Sequence, residues 1–358
     1  MNILRMYYHK YLYIFFLLLA LNLSFFSTSK SHAKSFFIDE IKIQEKLEID
    51  FNKETLINKG FKKAFYELMK KMIQSKDLVK IDDVSLNKIK SMIETFTIKE
   101  EKFINKTYSL NLGVSFNKKQ IFNFLDDKRI FPSQIKDERF LFIPIILDQL
   151  NNEILVYSKN PFYNYWKITN DKSHLIKYVL PTEDLEDLNL IQKNYLEIEN
   201  LNFEKIIKKY YLDNSIVAII FKNEDKIKIL SKIRIKENKV IKSFSFNNFD
   251  LENIDDVTKL IKDLKIIYED FWKENNLINT SIKLPIVIQV DSSDLQLSSK
   301  FEETLGKIDL ISTFSISRFD KNLIFYELIF NGTPKNFINI MKEQNFNFDI
   351  QNKIWVLK

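Results

Sequence analysis

The sequence predicts an α+β or α/β protein in which two ferredoxin-like β-α-β-β-α-β modules flank a mixed α/β middle domain. Near each end of the chain, strand-like segments of alternating apolar and polar residues neighbour segments with helical spacing, in matching order. The chain has 358 residues, of which 45% are apolar and only 4 are glycine, which is typical of a protein that buries more than one core. We expect a leader and three modules, at residues 1–33, 34–147, 148–280 and 281–358.

The start of the chain has the pattern of a secretory signal peptide. Arg5 and Lys10 precede an apolar stretch at residues 11–20, and a polar run then leads to a small-x-small ending at Ser31 and Ala33. We expect cleavage after Ala33 and export of the rest to the periplasm. The alternative is a protein anchored by an uncleaved N-terminal helix, although the apolar span is shorter than the about 20 residues that cross a bilayer.

The N-terminal module begins with a strand, because apolar and charged residues alternate over residues 37–51. Asn52 is a suitable N-cap for the helix that follows, in which apolar residues recur at helical spacing up to residue 73. Four segments complete the predicted module: strands at 93–99 and 107–116, a short helix at 118–125, and an apolar strand at 140–147. This order is the split βαβ plan.

The remaining elements follow from the same patterns. In the middle domain we predict strands at 176–180 and 216–221, helices at 183–194, 203–210 and 253–274, and a hairpin at 226–236 and 240–246. The C-terminal module repeats the order of the first, with strands at 284–290, 310–317, 323–330 and 354–357 and a helix at 294–305. Its second helix begins at Thr333, where an N-cap is followed by Pro334.

Several of these segments resemble the proteobacterial domain-of-unknown-function family DUF 2066. The leader, the segments 56–73, 112–116 and 140–147, and above all the run from Leu180 to Leu188 carry the resemblance, since that run is similar to a proline and aspartate segment of the family. The family tends to have glycine after the first helix and an arginine-proline pair before the next strand, where this chain has residues 74–77 and Ile143-Pro144. The resemblance implies a signal-peptide-bearing periplasmic protein of unassigned activity. In element order, the middle domain is also similar to the N-terminal domain of TolB.

The sequence lacks the residues that several kinds of catalytic, metal and phosphate-binding site require. Cysteine is absent, and of 3 histidines only His174 lies outside the leader, so a zinc site or an activated nucleophile has few possible members. The 4 glycines are isolated, so no glycine-rich phosphate loop occurs. The net charge of +6 is dispersed along the chain, which argues against nucleic acid as a partner. We expect no cofactor, no metal and no catalytic residue.

Three segments are candidates for binding. The acidic run that contains Asp184 and Asp187 could serve a hydrolase or hold a divalent cation, or it could be the favoured first turn of a helix. Basic residues alternate along residues 226–236 and could contact anionic lipid or glycan, or form a solvated strand face. An aromatic cluster in a loop-like segment suits partner contact and core packing equally. The candidates in the last two segments are Lys228, Lys232, Arg234, Tyr165 and Trp166.

Together these features favour a non-catalytic periplasmic binding or accessory protein that contacts another envelope protein or a cell-wall polymer. Membrane contact is expected only through the leader, during export. The alternatives are an anionic lipid or glycan binder that uses the basic face of residues 226–236, and a carboxylate-dependent hydrolase centred on Asp184 and Asp187.

Overall fold

The computed structural model describes residues 36–168 and 174–358. The expected leader and its cleavage after Ala33 lie outside these residues. Within them, the chain forms three multi-stranded sheets with helices packed on their faces, so the predicted mixed α/β class is confirmed. No helix in these two ranges is long and apolar enough to cross a membrane.

The first sheet has three antiparallel strands in the order β1-β3-β2. The elements of this segment are β1 (Phe37–Lys46), α1 (Lys53–Met72), α2 (Leu86–Met92), β2 (Ile93–Ile104), β3 (Thr107–Phe116) and α3 (Lys118–Asp127). The side chain of Asn52 accepts hydrogen bonds from the N–H groups of Glu54 and Thr55 and caps α1 as predicted. At Gly60 an added Cβ would lie 2.5 Å from Cδ1 of Leu112, so glycine allows α1 to lie close against the sheet.

The hairpin of β2 and β3 is longer than the sequence predicts. Its turn consists of Asn105 (φ 50°) and Lys106 (φ 59°), and positive φ at both central positions is the type I′ geometry that matches the twist of two paired strands. The prediction that the first strand ends at residue 99 and that a loop follows is wrong. Its physical reason is that residues 99–102 lie on an exposed edge, where charged side chains are compatible with a strand on both faces.

The second sheet follows the order β5-β4-β7-β8-β9, with β6 also paired to β4. The elements of this segment are β4 (Glu138–Asp148), β5 (Glu153–Leu155), α4 (Pro161–Trp166), β6 (Ile176–Val179), α5 (Leu185–Lys193), α6 (Glu204–Lys208), β7 (Asn214–Asn223), β8 (Lys226–Ile235), β9 (Asn238–Phe246) and α7 (Ile254–Asn275). Strand β4 is parallel to β6 and β7, and the hairpin of β8 and β9 continues the sheet. Helix α7 packs on one face, and α5 and α6 pack on the other.

The strand predicted at residues 140–147 lies in this second sheet. The expectation that it closes the N-terminal module is wrong, because β4 pairs in parallel with β7 and does not pair with β1. Its residues 140–148 are buried on both faces. A strand that is apolar on both faces needs helices on both sides, and the second sheet provides them.

The third sheet has the order β11-β12-β10-β14-β13. The elements of this segment are β10 (Leu284–Asp291), α8 (Leu295–Lys307), β11 (Ile311–Asp320), β12 (Leu323–Phe330), α9 (Pro334–Glu343), β13 (Phe348–Asp349) and β14 (Ile354–Leu357). Strand β10 is antiparallel to β12 and parallel to β14. The side chain of Thr333 caps α9, and Pro334 occupies its first turn as predicted.

The first and third sheets share one apolar core. Buried residues of both belong to a single cluster, and α3 of the first segment packs against β11 of the third. Polar contacts accompany this packing, since the ammonium of Lys118 donates to the carbonyl of Ile308 at 2.7 Å and Thr280 donates to Asp126 at 3.3 Å. The two ends of the chain therefore stabilise each other.

Candidate functional site

The acidic run after Pro181 begins helix α5. The Oδ1 atom of Asp184 accepts hydrogen bonds from the N–H groups of Glu186 (2.7 Å) and Asp187 (3.1 Å), so Asp184 is the N-cap. Glu183 accepts the N–H of Ser158 at 3.2 Å. The run therefore has a structural task, which is to start a helix and to fix the loop before it.

Lys209, at the C-cap of α6, neutralises two of these acids. Its Nζ lies 2.7 Å from Oδ1 of Asp187 and 2.9 Å from Oδ2 of Asp184. Hydrogen bonds to Asp187 and Asp184 raise the pKa of Lys209, and the lysine in turn lowers the pKa of Asp184. Asp184 thus stays ionised, whereas a general acid must hold its proton near neutral pH.

Asp187 is the buried member of the pair. Its side chain is 1% exposed, and its Oδ2 has no hydrogen-bond partner among the residues that the structure describes. An enclosed space lined by Tyr157, Tyr163 and Ile191 measures about 10 Å³, which is the size of about one water molecule. The structure brings Asp184 and Asp187 together on the ammonium of Lys209, and neither carboxylate lines this space.

The basic residues of β8 do not form a continuous cationic surface, because α6 packs over part of the strand. Arg234 donates to both carboxylate oxygens of Glu204, at 3.0 and 3.2 Å, and Lys232 donates to the carbonyl of Leu201 at 3.0 Å. Burial lowers the pKa of Lys232. Of the three candidates, Lys228 alone is exposed. Two of the three predicted binding residues are thus occupied in packing.

The aromatic candidates are part of the core of the second sheet. Residues 161–166 form α4, whose N-cap Asn160 accepts the N–H groups of Phe162 and Tyr163, and do not form the expected loop. Trp166 is 1% exposed and stacks on Phe142 with ring centroids 3.7 Å apart, and Tyr165 is half-buried against the same core. Trp166 is therefore inaccessible to a partner, because the core of α7 and β4 uses its apolar surface.

His174 contacts a residue that the sequence does not bring to attention. Its Nδ1 lies 3.6 Å from Oε1 of Glu269 on α7, and Glu269 also accepts the N–H of Ile176 at 2.7 Å. Glu269 is 3% exposed, so this pair ties β6 to α7. In the described ranges, no group of three or more His, Asp and Glu side chains could hold a metal ion.

Strand β2 presents an exposed apolar edge. No described strand pairs with its outer side, and every residue after Ile93 is exposed. Its large apolar side chains are accessible, with exposed fractions of 45% for Phe96, 58% for Phe103 and 60% for Ile104. Long edges of this kind pair readily with other chains, because their backbone N–H and C=O groups lack partners.

The side chains of β2 divide between two faces. Phe96, Ile98, Glu101 and Phe103 lie opposite residues of β3 that face α1. Phe61 of α1 contacts Phe96 with ring centroids 5.0 Å apart, and Lys53 binds Glu101 at 2.8 Å. The alternation is interrupted by two register shifts, one between Ile93 and Thr95 and one between Ile98 and Glu100. The side chains of Thr95, Thr97, Lys99, Glu100, Lys102 and Ile104 point to the opposite face, which we call the outer face.

The other two sheets also end in edge strands, which other elements cover in part and on which Ile241 of β9 and Phe319 of β11 are 63% and 70% exposed. In the third sheet, α3 packs against β11, and the first four residues of β11 are buried or half-buried. In the second sheet, Lys239 of β9 binds Glu204 at 3.1 Å, and the ammonium of Lys242 lies 5.4 Å from the ring centroid of Phe271. We take β2 as the candidate interaction surface, because it is the longest of these three edge strands and every residue after Ile93 is exposed.

The sequence did not single out this surface. Phe103 and Ile104 fall in the segment predicted as a loop, and the alternation at residues 95–98 was interpreted only as a strand. Comparison of the chain with protein-family models and with curated proteins gives no match. A function for this chain therefore rests on its own geometry.

Proposed function

We propose that this chain is a non-catalytic binding protein of the cell envelope that pairs β2 with an extended segment of a protein partner. The exposed edge of β2, with Phe96 and Phe103 accessible on one face, carries the proposal. Strand addition gains affinity from backbone hydrogen bonds and specificity from the side chains on alternate positions. An unpaired apolar edge would otherwise be an aggregation hazard, so it is best explained by a partner that covers it.

The envelope location rests on the leader and on the resemblance to DUF 2066, which are part of the same proposal. We expect the exported protein to begin at Lys34, because the small-x-small ending at Ser31 and Ala33 is the cleavage signal. The mass of the intact protein from the envelope fraction tests this. A mass that includes residues 1–33 would contradict cleavage and favour the anchored form.

We further propose that the two outer modules are ferredoxin-like. The strand order β11-β12-β10-β14 supports this for the C-terminal module, since the split βαβ plan places its first and last strands side by side. The parallel pairing of β10 with β14 departs from that plan, in which the central hairpin makes the first and last strands antiparallel. The order β1-β3-β2 supports it for the N-terminal module, as the same arrangement without the fourth strand.

The two alternative functions have less support. An anionic-surface binder that uses the basic face of residues 226–236 would lack Lys232 and Arg234, because both are hydrogen-bonded inside the second segment. A hydrolase centred on Asp184 and Asp187 would need room for a substrate beside carboxylates that Lys209 already binds. Binding at the edge of β2 requires no side chain to be released from an existing contact, because this edge is already exposed.

A photo-crosslinking residue at a single position tests the proposal. Placed at Phe103 in cells that express the chain, it should form an adduct with a protein, because this side chain lies on the open edge. The matched control is Phe319, which is 70% exposed on β11 of the third sheet. No adduct at position 103, or equal adducts at both positions, would overturn the proposal.

A further inference from the structure

We infer that the segment that pairs with β2 is β2 of a second copy of this chain, antiparallel, with Lys99 opposite Glu100 of the second copy. This inference rests on the proposed function, because it names the occupant of the same edge. Three observations carry it: the symmetry of the two faces of β2, the chemistry of the residues that this symmetry pairs, and the position of α1 relative to the edge.

The side chains of β2 alternate between the two faces in the same way on either side of the register shift between Ile98 and Glu100. From Thr95 to Lys99 the side chains point alternately to the outer face and to α1, ending on the outer face, and from Ile104 back to Glu100 they do the same. Opposite residues of an antiparallel pair point to the same face. A strand can therefore pair with its own copy along its length only if its pattern is symmetric about the two-fold axis, and β2 is symmetric about the point between Lys99 and Glu100.

This register also pairs compatible side chains. Phe96 lies opposite Phe103 of the second copy, and Lys99 lies opposite Glu100, so the two-fold axis generates each of these pairs twice. Aromatic pairs and pairs of opposite charge are among the stabilising cross-strand neighbours. A register shifted by two residues would instead place Lys99 opposite Lys102 and Glu100 opposite Glu101, where like charges repel.

Contacts within the chain hold the charged residues in place. Lys99 donates to Oδ2 of Asp39 at 2.6 Å, and its ammonium lies 5.8 Å from the ring centroid of Phe37, so it is held on the outer face. Glu101 is held on the α1 face by Lys53 at 2.8 Å. These ion pairs within one copy establish the face on which each charged side chain lies.

The position of α1 is compatible with a continuous sheet. A two-fold axis perpendicular to the sheet joins two three-stranded sheets edge to edge and keeps both α1 helices on the same side. Phe96, Ile98 and Phe103 of the two copies would then lie between the two helices, with Glu101 of each copy opposite Ile98 of the other. The three apolar side chains are those of β2 on the α1 face that a single copy leaves 38 to 58% exposed.

Introduced cysteines test the register, because the chain has no cysteine of its own. We would purify the chain from cells as T97C and, separately, as K102C, mix the two, and add a short bifunctional thiol crosslinker. Both positions are exposed and on the outer face. The mixture should give about ten-fold more covalent dimer than either variant alone, because opposite residues are about 5 Å apart and like positions about 16 Å apart. The matched control is a mixture of S315C and D320C on β11, which should not crosslink.

A second variant tests the apolar pairs. Phe103→Ser should raise the dissociation constant of the dimer about ten-fold in sedimentation equilibrium, because it removes both Phe–Phe pairs, whereas Phe319→Ser should leave it unchanged. Crosslinking that is equal in the mixture and in the single variants, or absent from both, overturns the inference. If a photo-crosslinker at position 103 then captures a different protein, the dimer is wrong and the proposed function stands. If it captures nothing, both are wrong.

Discussion

The first and third sheets have a similar order of elements, apart from the additional helix α2 in the first segment and the additional strand β13 in the third, yet their first strands have different neighbours. In the third sheet β10 lies between β12 and β14, whereas in the first sheet its counterpart β1 has β3 on one side only. The strand that follows α3 is β4, which belongs to the second sheet and pairs there with β7. The difference teaches that matching local patterns do not determine which sheet a strand joins.

The two open edges of the first sheet are not equivalent. On β1, Lys63 of α1 donates to the carbonyl of Lys42 at 2.9 Å, and Lys59 binds Glu45 at 2.6 Å. Lysines at an edge discourage pairing with another chain. On β2 the accessible side chains include Phe96 and Phe103. Although β2 also has Lys99 and Lys102 at its edge, exposed aromatic side chains lie on both sides of these charged residues, so β2 is the edge that we assign to a partner.

Substitutions in the core that the first and third sheets share should change the free energy of unfolding most. Phe65→Ala in α1 and Phe301→Ala in α8 each truncate a side chain with 0% exposure, and each should lower the free energy of unfolding by about 3–5 kcal/mol. Because both residues belong to one core cluster, each variant should destabilise both sheets together. Chemical denaturation followed by hydrogen exchange in both segments measures this.

The control for these variants is Val79→Ala, at a side chain that is 75% exposed, which should change the free energy of unfolding by less than about 0.5 kcal/mol. If Phe301→Ala loosens the third sheet and leaves the first at full stability, the shared core is contradicted.

The contact that Lys118 makes between the first and third segments should make the free energy of unfolding depend on pH, with an effect of intermediate size. Lys118 is half-buried, and burial of its ammonium lowers its pKa to about 8. The unfolded chain therefore binds more protons than the folded chain between the folded pKa and the ordinary value of 10.5, so stability should rise with pH across this window. In Lys118→Met the rise from pH 8 to 9.5 should be smaller than in the native chain.

Thermal denaturation at several pH values measures this difference between Lys118→Met and the native chain. Lys119→Met is the control, because Lys119 is exposed on the same helix and should leave the pH dependence unchanged. Identical pH profiles for the native chain and Lys118→Met would show that the ammonium is not buried between the two segments.

Substitutions in the β2–β3 turn and in the β11–β12 turn should have the smallest effect on the free energy of unfolding. Lys106 has φ 59° and Lys321 has φ 51°, a region that glycine occupies at lower cost than lysine. Lys106→Gly and Lys321→Gly should each raise the free energy of unfolding by about 0.5 kcal/mol. Ser315→Gly, inside strand β11, should lower it by about 0.5–1 kcal/mol. A loss of stability in both turn variants would contradict the turn geometry.

Much of the fold follows from local sequence patterns. The cap at Asn52, the start of α9 at Thr333 and the hairpin of β8 and β9 were predicted because capping and alternation act over a few residues. The assignment of β4 to the second sheet was not, because pairing with β7 is a long-range choice between two apolar neighbours. The full length of β2 was missed because residues 99–102 are charged and lie on an exposed edge.

The candidate site was less predictable than the fold. The pairing of Lys209 with Asp184 and Asp187, and of Arg234 with Glu204, joins residues that are distant in sequence, so charge patterns alone suggested free binding groups. Tryptophan is a residue type that suits contact with a partner, but Trp166 lies in the core. For β2 the signal lay in the face pattern about the register shift, which cannot be read until the pairing with β3 is known.

Amide hydrogen exchange at increasing protein concentration tests the difference between the two edges most directly. Amides of residues 95–103 in β2 should exchange more slowly as concentration rises, because pairing with a second copy protects them, and the change should follow the dimer fraction measured by sedimentation. Amides of residues 312–319 in β11 should exchange at a constant rate. Concentration-independent exchange in β2, or equal protection of β2 and β11, would contradict the account.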